Sequence, residues 1–226
     1  MNGDESFRNP VPPETFYKFK NDPVGGEKVE KFLTKNQLEI ILKTSKNRSI
    51  RDYILFLLAV HCGMRISELK TIRIENINFK ERYLKTGLEK GARKSNKEGD
   101  KPLIFFFPSA VGRKVKEYVI YLNKKEGWLF PGKNTKEGYM YAPQNMINRK
   151  YKWDFKFTMH WFRHTLITNR KMFFNGENGK PKISDWESEI LMNHTPSSVE
   201  NKHYTQLPIE EKRKLYDKYH PYPSLL

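Results

Sequence analysis

One cysteine, Cys62, stands in a chain of 226 residues. A lone thiol rules out an internal disulfide and a cysteine-built metal site, and such sparing use of cysteine suits a reducing, intracellular setting. Long apolar runs are also missing. The longest, 54–60, is far short of the roughly 20 residues that cross a bilayer, and it reads as part of a buried helix. The opening MNGDESFRNPVPPE lacks the apolar stretch of a signal peptide. Acidic residues are in deficit, 26 against 42 lysines and arginines, for a net charge of +16 and a pI near 9.7. Neither an internal repeat nor a low-complexity block is present.

What is present supports a folded domain with a polyanionic partner. Hydrophobic residues make up 37% and aromatics 14%, spread along the chain, which excludes wholesale disorder. Lysines and arginines that neutralise phosphates release counterions, so nucleic acid is the first partner the charge suggests and an anionic membrane surface the second. Charge alone leaves an ordinary basic soluble protein open.

Residues 1–30 read as a tail or linker, with Pro10, Pro12, Pro13, Pro23 and the Gly25-Gly26 pair interrupting regular structure. Thr34 with Gln37 three residues on predicts a capping box, and Leu38, Ile41 and Leu42 supply that helix's apolar face. A second helix over 48–61 is apolar almost all round, hence central, and Gly63 ends it. A short helix over 67–72 follows. Two strands, 82–89 and 103–107, are joined by the polar turn GARKSNKEGDK. Further helices are expected over 110–125 (capped by Ser109), 143–151, 159–172 after Thr158, from Ser184 through Met192, and over 209–219. Trp128-Leu129-Phe130 is an apolar plug, and 193–206 is irregular or weakly helical. The expectation is a mainly α domain with a small antiparallel β-sheet (α+β).

Four local signals carry chemistry. In HCGMRISEL, Arg65 follows a glycine turn at a helix mouth, where its planar fork can meet a phosphate; a plain salt bridge to Glu68 explains it equally well. In HWFRHT, His160 and Arg163 are three apart and share a helix face. His160 and His164 have the i,i+4 spacing of zinc helices, but the metalloprotease glutamate is absent and Arg163 shares the face, so the pair suits an anion better than a metal. His164 and Thr165 read as structural. His194 lies at a predicted helix end, where a cap is the ordinary role. Tyr204 lies in a predicted loop, ordinarily a packing position. A tyrosine there becomes a nucleophile only when cations favour loss of a proton whose unperturbed pKa is about 10.

Arg, His-x-x-Arg, His and Tyr in that order resemble the tyrosine recombinase (integrase) family. The resemblance rests on GMRISEL, WLFPG, HWFRHTLIT and MNHTPSSVENKHYTQL and covers about residues 31–220. It implies the fold of that family's catalytic domain, without metal or cofactor, acting on double-stranded DNA. Tyr204 would attack a phosphodiester to leave a 3′-phosphotyrosine and a free 5′-hydroxyl. Arg65 and Arg163 would clamp the non-bridging oxygens, the electrostatic contribution that usually dominates. His160 would assist proton transfer and His194 would hydrogen-bond the phosphate. A hairpin lysine would serve as general acid: spacing favours Lys90, Lys85 competes, and Lys94, Lys97 and Lys101 would grip the DNA backbone. The resemblance further implies a monomer when free, a homotetramer on DNA, a DNA-associated place in the cytoplasm and roles such as viral genome integration. A type IB topoisomerase-like relaxation and a catalytically weak DNA-binding fragment are the alternatives.

The chain departs from the family's pattern in three places. The stretch from His194 to Tyr204 is about one residue longer and contains Pro196, and His203 adjoins the tyrosine. Asn193 replaces the usual glycine before the histidine, where a left-handed backbone is expected. Residues 1–30 read as the remnant of a connection to an absent N-terminal DNA-binding domain, with 31–226 as the catalytic domain. The C-terminal segment, 208–226, has two expected docking places, a neighbouring protomer or its own domain.

Overall fold

Thr34 opens the first helix as the spacing predicts. The computed structural model describes residues 31–86, 102–132, 140, 150–193 and 207–226. The Thr34 hydroxyl accepts from the Gln37 amide at 3.2 Å, and the Gln37 side chain accepts from the Thr34 amide at 2.9 Å. This box starts α1 (Lys35–Arg48), which buries Leu38, Ile41 and Leu42. Ser49 caps α2 (Ile50–Cys62), whose residues from Asp52 to Cys62 are all buried. A helix apolar on every side belongs in the centre, and α2 packs against α1, α4 (Ser109–Leu122) and α5 (Met159–Phe173). Gly63 ends α2 in the left-handed conformation, φ 62°, which a side chain disfavours. A short helix, α3 (Ile66–Lys70), starts three residues later.

The sheet has three strands rather than two. The segment after α3 makes one 3-10 turn, Ile74–Asn76, and then adds a short edge strand, β1 (Ile77–Asn78), to β2 (Tyr83–Thr86) and β3 (Leu103–Phe106). Both pairings are antiparallel, with Leu84 opposite Ile77 on one side and Phe105 on the other. Alternation along a strand sends successive side chains to opposite faces. Leu84 and Phe105 join the large core around α2. Tyr83, Ile104 and Phe106 face a second cluster made with Ile183, Leu191, Tyr216 and Tyr219. The sheet therefore separates the α2 core from α6 (Asp185–Leu191) and α7 (Ile209–Lys218).

Two further details differ from expectation. Pro108, not Ser109, holds the N-cap of α4, and Ser109 is its first helical residue. The Trp128 plug is also a backbone element: Arg73 and Trp128 form an isolated bridge, Leu129 donates to the Ile72 carbonyl, and the Arg73 guanidinium lies 4.7 Å from the Trp128 ring centre. Ser184 caps α6 as predicted, in a capping box with Glu187.

The C-terminal segment lies on its own domain. Tyr216 donates to the His61 carbonyl, and Tyr222 accepts from Asn169 at 2.7 Å. His61 holds the Leu225 carbonyl through Nε2 at 2.8 Å, which makes Nε2 the protonated nitrogen. Its bare Nδ1 then accepts from Nε2 of His220 at 2.9 Å. Residues 1–30, most of the predicted 143–151 helix, the hairpin turn and 194–206 lie outside the described residues.

Candidate phosphate-binding active site

Arg65 follows the left-handed turn at Gly63 by two residues and occupies the extended N-cap position of α3. Its side chain is 44% exposed. The carboxylate of Glu68, only 1% exposed, accepts from the Arg65 amide at 2.6 Å and from its guanidinium at 2.9 Å. The salt bridge to Glu68 therefore forms, and it steers the fork instead of consuming it. Thr71 and Thr86 donate to the Glu68 backbone carbonyl, which ties the turn to β2.

Arg163 sits in the first half of α5 and is 2% exposed. Its two terminal nitrogens donate to backbone carbonyls, one to Gly63 at 2.8 Å and the other to Met192 at 2.5 Å. One guanidinium thus fastens the turn carrying Arg65 to the end of α6, one residue before Asn193. Burial, and then the nearby charge of Arg65, lower its pKa to about 10, so it remains a cation at neutral pH. Each terminal nitrogen has a second N–H, so both carbonyl bonds are compatible with further donation.

His160 lies one turn before Arg163 and is exposed. Partial desolvation and the charges of Arg163 and Arg65 hold its pKa below the ordinary 6.5. His164 meets His160 edge-on at 4.4 Å and is lowered too, by desolvation and then by His160 and Arg163. A neutral imidazole within reach of two guanidinium charges can accept a proton that they make easier to lose. Thr165 is structural, its hydroxyl accepting from the buried Leu33 amide at 2.9 Å.

Asn193 has φ 50°, the left-handed backbone expected there. Its side-chain amide donates to the Ile104 carbonyl at 2.8 Å and accepts from the Ile104 amide at 3.3 Å. The residue preceding His194 is thus pinned to β3, which glycine could not do. Lys85 projects from β2 with its ammonium 5.7 Å from the Tyr83 ring centre. Lys90, Lys94, Lys97, Lys101, His194, His203 and Tyr204 lie outside the described residues. Among those described, no three His, Cys, Asp or Glu side chains are grouped to hold a metal. No described helix is long and apolar enough to cross a membrane.

Arg170 went unnoticed in the sequence. It stands seven residues after Arg163, on the same face of α5, and is 1% exposed. An arginine at a core-facing helical position is the signal that marks it.

A helical domain with a small antiparallel sheet, carrying an arginine after a glycine turn and a His-x-x-Arg helix beside it, is a tyrosine recombinase catalytic domain. The chain belongs to the phage integrase family, whose model matches residues 31–172. It is 26% identical over 169 residues to tyrosine recombinase XerA of Pyrococcus furiosus, covering 73% of this chain and 52% of that protein. It is 28% identical over 104 residues to a tyrosine recombinase of Pseudothermotoga lettingae, 46% of this chain and 33% of that one. The chain thus spans about half the length of the XerA relative. The solved XerA recombinase superposes with a TM-score of 0.54 at 18% identity, over 89% of this chain and 68% of that one. The integrase from mycobacterium phage Brujita gives 0.54 at 15% identity, over 82% and 57%. XerH bound to its difH substrate gives 0.51 at 16% identity, over 89% and 57%. At these identities the superpositions establish the fold.

Proposed function

We propose that this chain cleaves and rejoins DNA strands during site-specific recombination, with Tyr204 as nucleophile. The observation that carries the reading is the Arg163 guanidinium bound to the turn that carries Arg65, on the helix that also carries His160, in a strongly basic chain. In the proposed step the Tyr204 hydroxyl attacks phosphorus as its proton leaves. The P–O bond to tyrosine forms, the P–O5′ bond breaks, and the 5′-oxygen takes a proton from a hairpin lysine, Lys90 or Lys85. The reverse attack by a 5′-hydroxyl of another strand reseals the DNA. Arg65 and Arg163 bind the non-bridging oxygens, whose charge grows in the transition state. His160 moves the proton, and His194 donates to the phosphate. No cofactor enters, because the phosphotyrosine retains the bond energy. Assembly as a tetramer on duplex DNA, and a role in integration, belong to the same reading.

A duplex from the DNA flanking the gene, nicked so that cleavage cannot reverse, tests it. Wild type should give a covalent protein–DNA band on a denaturing gel, and Tyr204→Phe should give none. Binding without an adduct from wild type would favour the DNA-binding fragment instead.

A further inference from the structure

Arg170 is a buried cation that the chemistry above does not use. Among the described residues no carboxylate forms an ion pair with it. Its Nε donates to the Tyr219 carbonyl at 3.1 Å, and its Nη1 lies 3.4 Å from the Met192 sulfur. Desolvation lowers its pKa to about 10, which still leaves it charged. Burying such a charge is costly, and the described contacts that hold it are a backbone carbonyl and a thioether.

Those contacts converge on Met192. Seven residues is close to two helical turns, so Arg163 and Arg170 point from α5 in nearly the same direction. Arg163 takes the backbone carbonyl of Met192 and Arg170 takes its thioether. The same thioether chain abuts Gly63: a methyl group built there would lie 2.8 Å from the Met192 terminal carbon. Met192 therefore fills the space between the turn that carries Arg65 and the helix that carries His160 and Arg163. Asn193, pinned to Ile104, follows it.

We propose that Arg170 is a positioning residue: together with Arg163 it grips Met192, and through Tyr219 it anchors that grip to the docked C-terminal segment. This holds the Arg65 turn, Arg163 and Asn193 in one arrangement. The proposal rests on the strand-cleavage reading. It also explains why a cation occupies a place where an apolar side chain would satisfy packing alone. A methionine at 170 would fill the space but grip neither Tyr219 nor the sulfur.

The test compares Arg170→Met, Arg170→Lys, Met192→Leu and the Arg170→Met/Met192→Leu double variant. Arg170→Met removes a buried charge but leaves the Tyr219 carbonyl without its donor, so its melting temperature should fall less than that of Arg163→Gln, which strips two carbonyls. The Arg170→Met adduct rate at saturating nicked DNA should fall about tenfold, the scale of one lost hydrogen bond to a charged group, with DNA affinity unchanged. Arg170→Lys should restore part of that rate. Because Arg170 acts through Met192, the double variant should lose less than the product of the two single losses. Peptide-level hydrogen exchange should quicken in 61–66 and 186–193 on Arg170→Met, and not in α1. A wild-type rate and unchanged exchange in Arg170→Met would overturn the proposal, as would multiplicative losses in the double variant. Absence of any adduct from wild type would overturn the strand-cleavage reading and the catalytic meaning of the positioning with it. The exchange measurement still reports the grip on Met192 separately.

Discussion

The turn after α2 and the first half of α5 each bring an arginine to the same site, and they hold it in opposite ways. Arg65 is half in solvent, steered by one buried carboxylate three residues away in its own helix. Arg163 is enclosed, held by two backbone carbonyls that are distant in sequence. The first arrangement is local and leaves the guanidinium able to adjust to a ligand. The second makes the cation a structural joint as well as a charge, so a change at Arg163 reaches the fold while one at Arg65 stays local.

Conservative neutralisation should expose that difference most strongly. Arg65→Gln and Arg163→Gln should each slow adduct formation by about 10²–10³-fold, the scale of one lost transition-state donor. Only Arg163→Gln should also destabilise the fold, by about 2–4 kcal/mol in urea unfolding, since two buried carbonyls lose their donors. Equal stability losses in the two variants would erase the distinction.

Gly63→Ala disturbs both arginines at once. Position 63 has φ 62°, and the added methyl would meet Met192 and Leu166 at 2.8 and 2.9 Å. Strain plus overpacking should cost about 2–4 kcal/mol. A melting temperature equal to that of wild type would mean that the turn is looser than described.

Acid should weaken the docking of the C-terminal segment, which the His61–His220 pair holds. His61, lowered to about 4 by burial, and His220, lowered further by burial, His61 and Arg170, are neutral when folded. The Tyr216 and Tyr222 rings pack around them, and neither supplies a counter-charge at these pH values. Protonating His61 at Nδ1 would set two N–H groups face to face. The unfolded chain binds protons near pH 6.5 and the folded chain does not, so stability is full above about 6.5 and falls as pH drops toward 4. Each histidine contributes a slope of about 1.4 kcal/mol per pH unit. His220→Phe should flatten the slope in acid titrations followed by circular dichroism; an unchanged slope would remove this pair as its source.

The smallest effect is expected at Asn193. Asn193→Ala loses both bonds to Ile104 and keeps the left-handed backbone, costing about 1–2 kcal/mol. Asn193→Gly should cost less, since glycine accepts that backbone freely. The reverse order in thermal melts would mean that the left-handed backbone at 193 carries no weight.

Local features were readable in the sequence. The capping box at Thr34, the cap at Ser184, the glycine stop at 63 and the all-apolar α2 each follow from neighbours within a few residues. Arg65, His160 and Arg163 stand out in the sequence because their order along the chain matches a family pattern. Features built across long separations were not. The His61–His220 pair spans 159 residues, and Arg170 meets Tyr219 and Met192 from a helix whose periodicity shows only that the position faces inward. Strand β1 was missed because two residues carry too little alternation to register. The C-terminal segment had two plausible docking places by its amphipathic spacing, and contacts to His61, Asn169 and Arg170 place it on its own domain.

The central claim is that the cation cluster serves a tyrosine nucleophile. Mass spectrometry of the trapped adduct, after digestion of both protein and DNA, identifies the residue that carries the 3′-phosphate. The account predicts a single nucleotide-bearing peptide modified at Tyr204. Modification at His203 or at any other residue, or the absence of a nucleotide-bearing peptide from wild type on its cognate duplex, would contradict it.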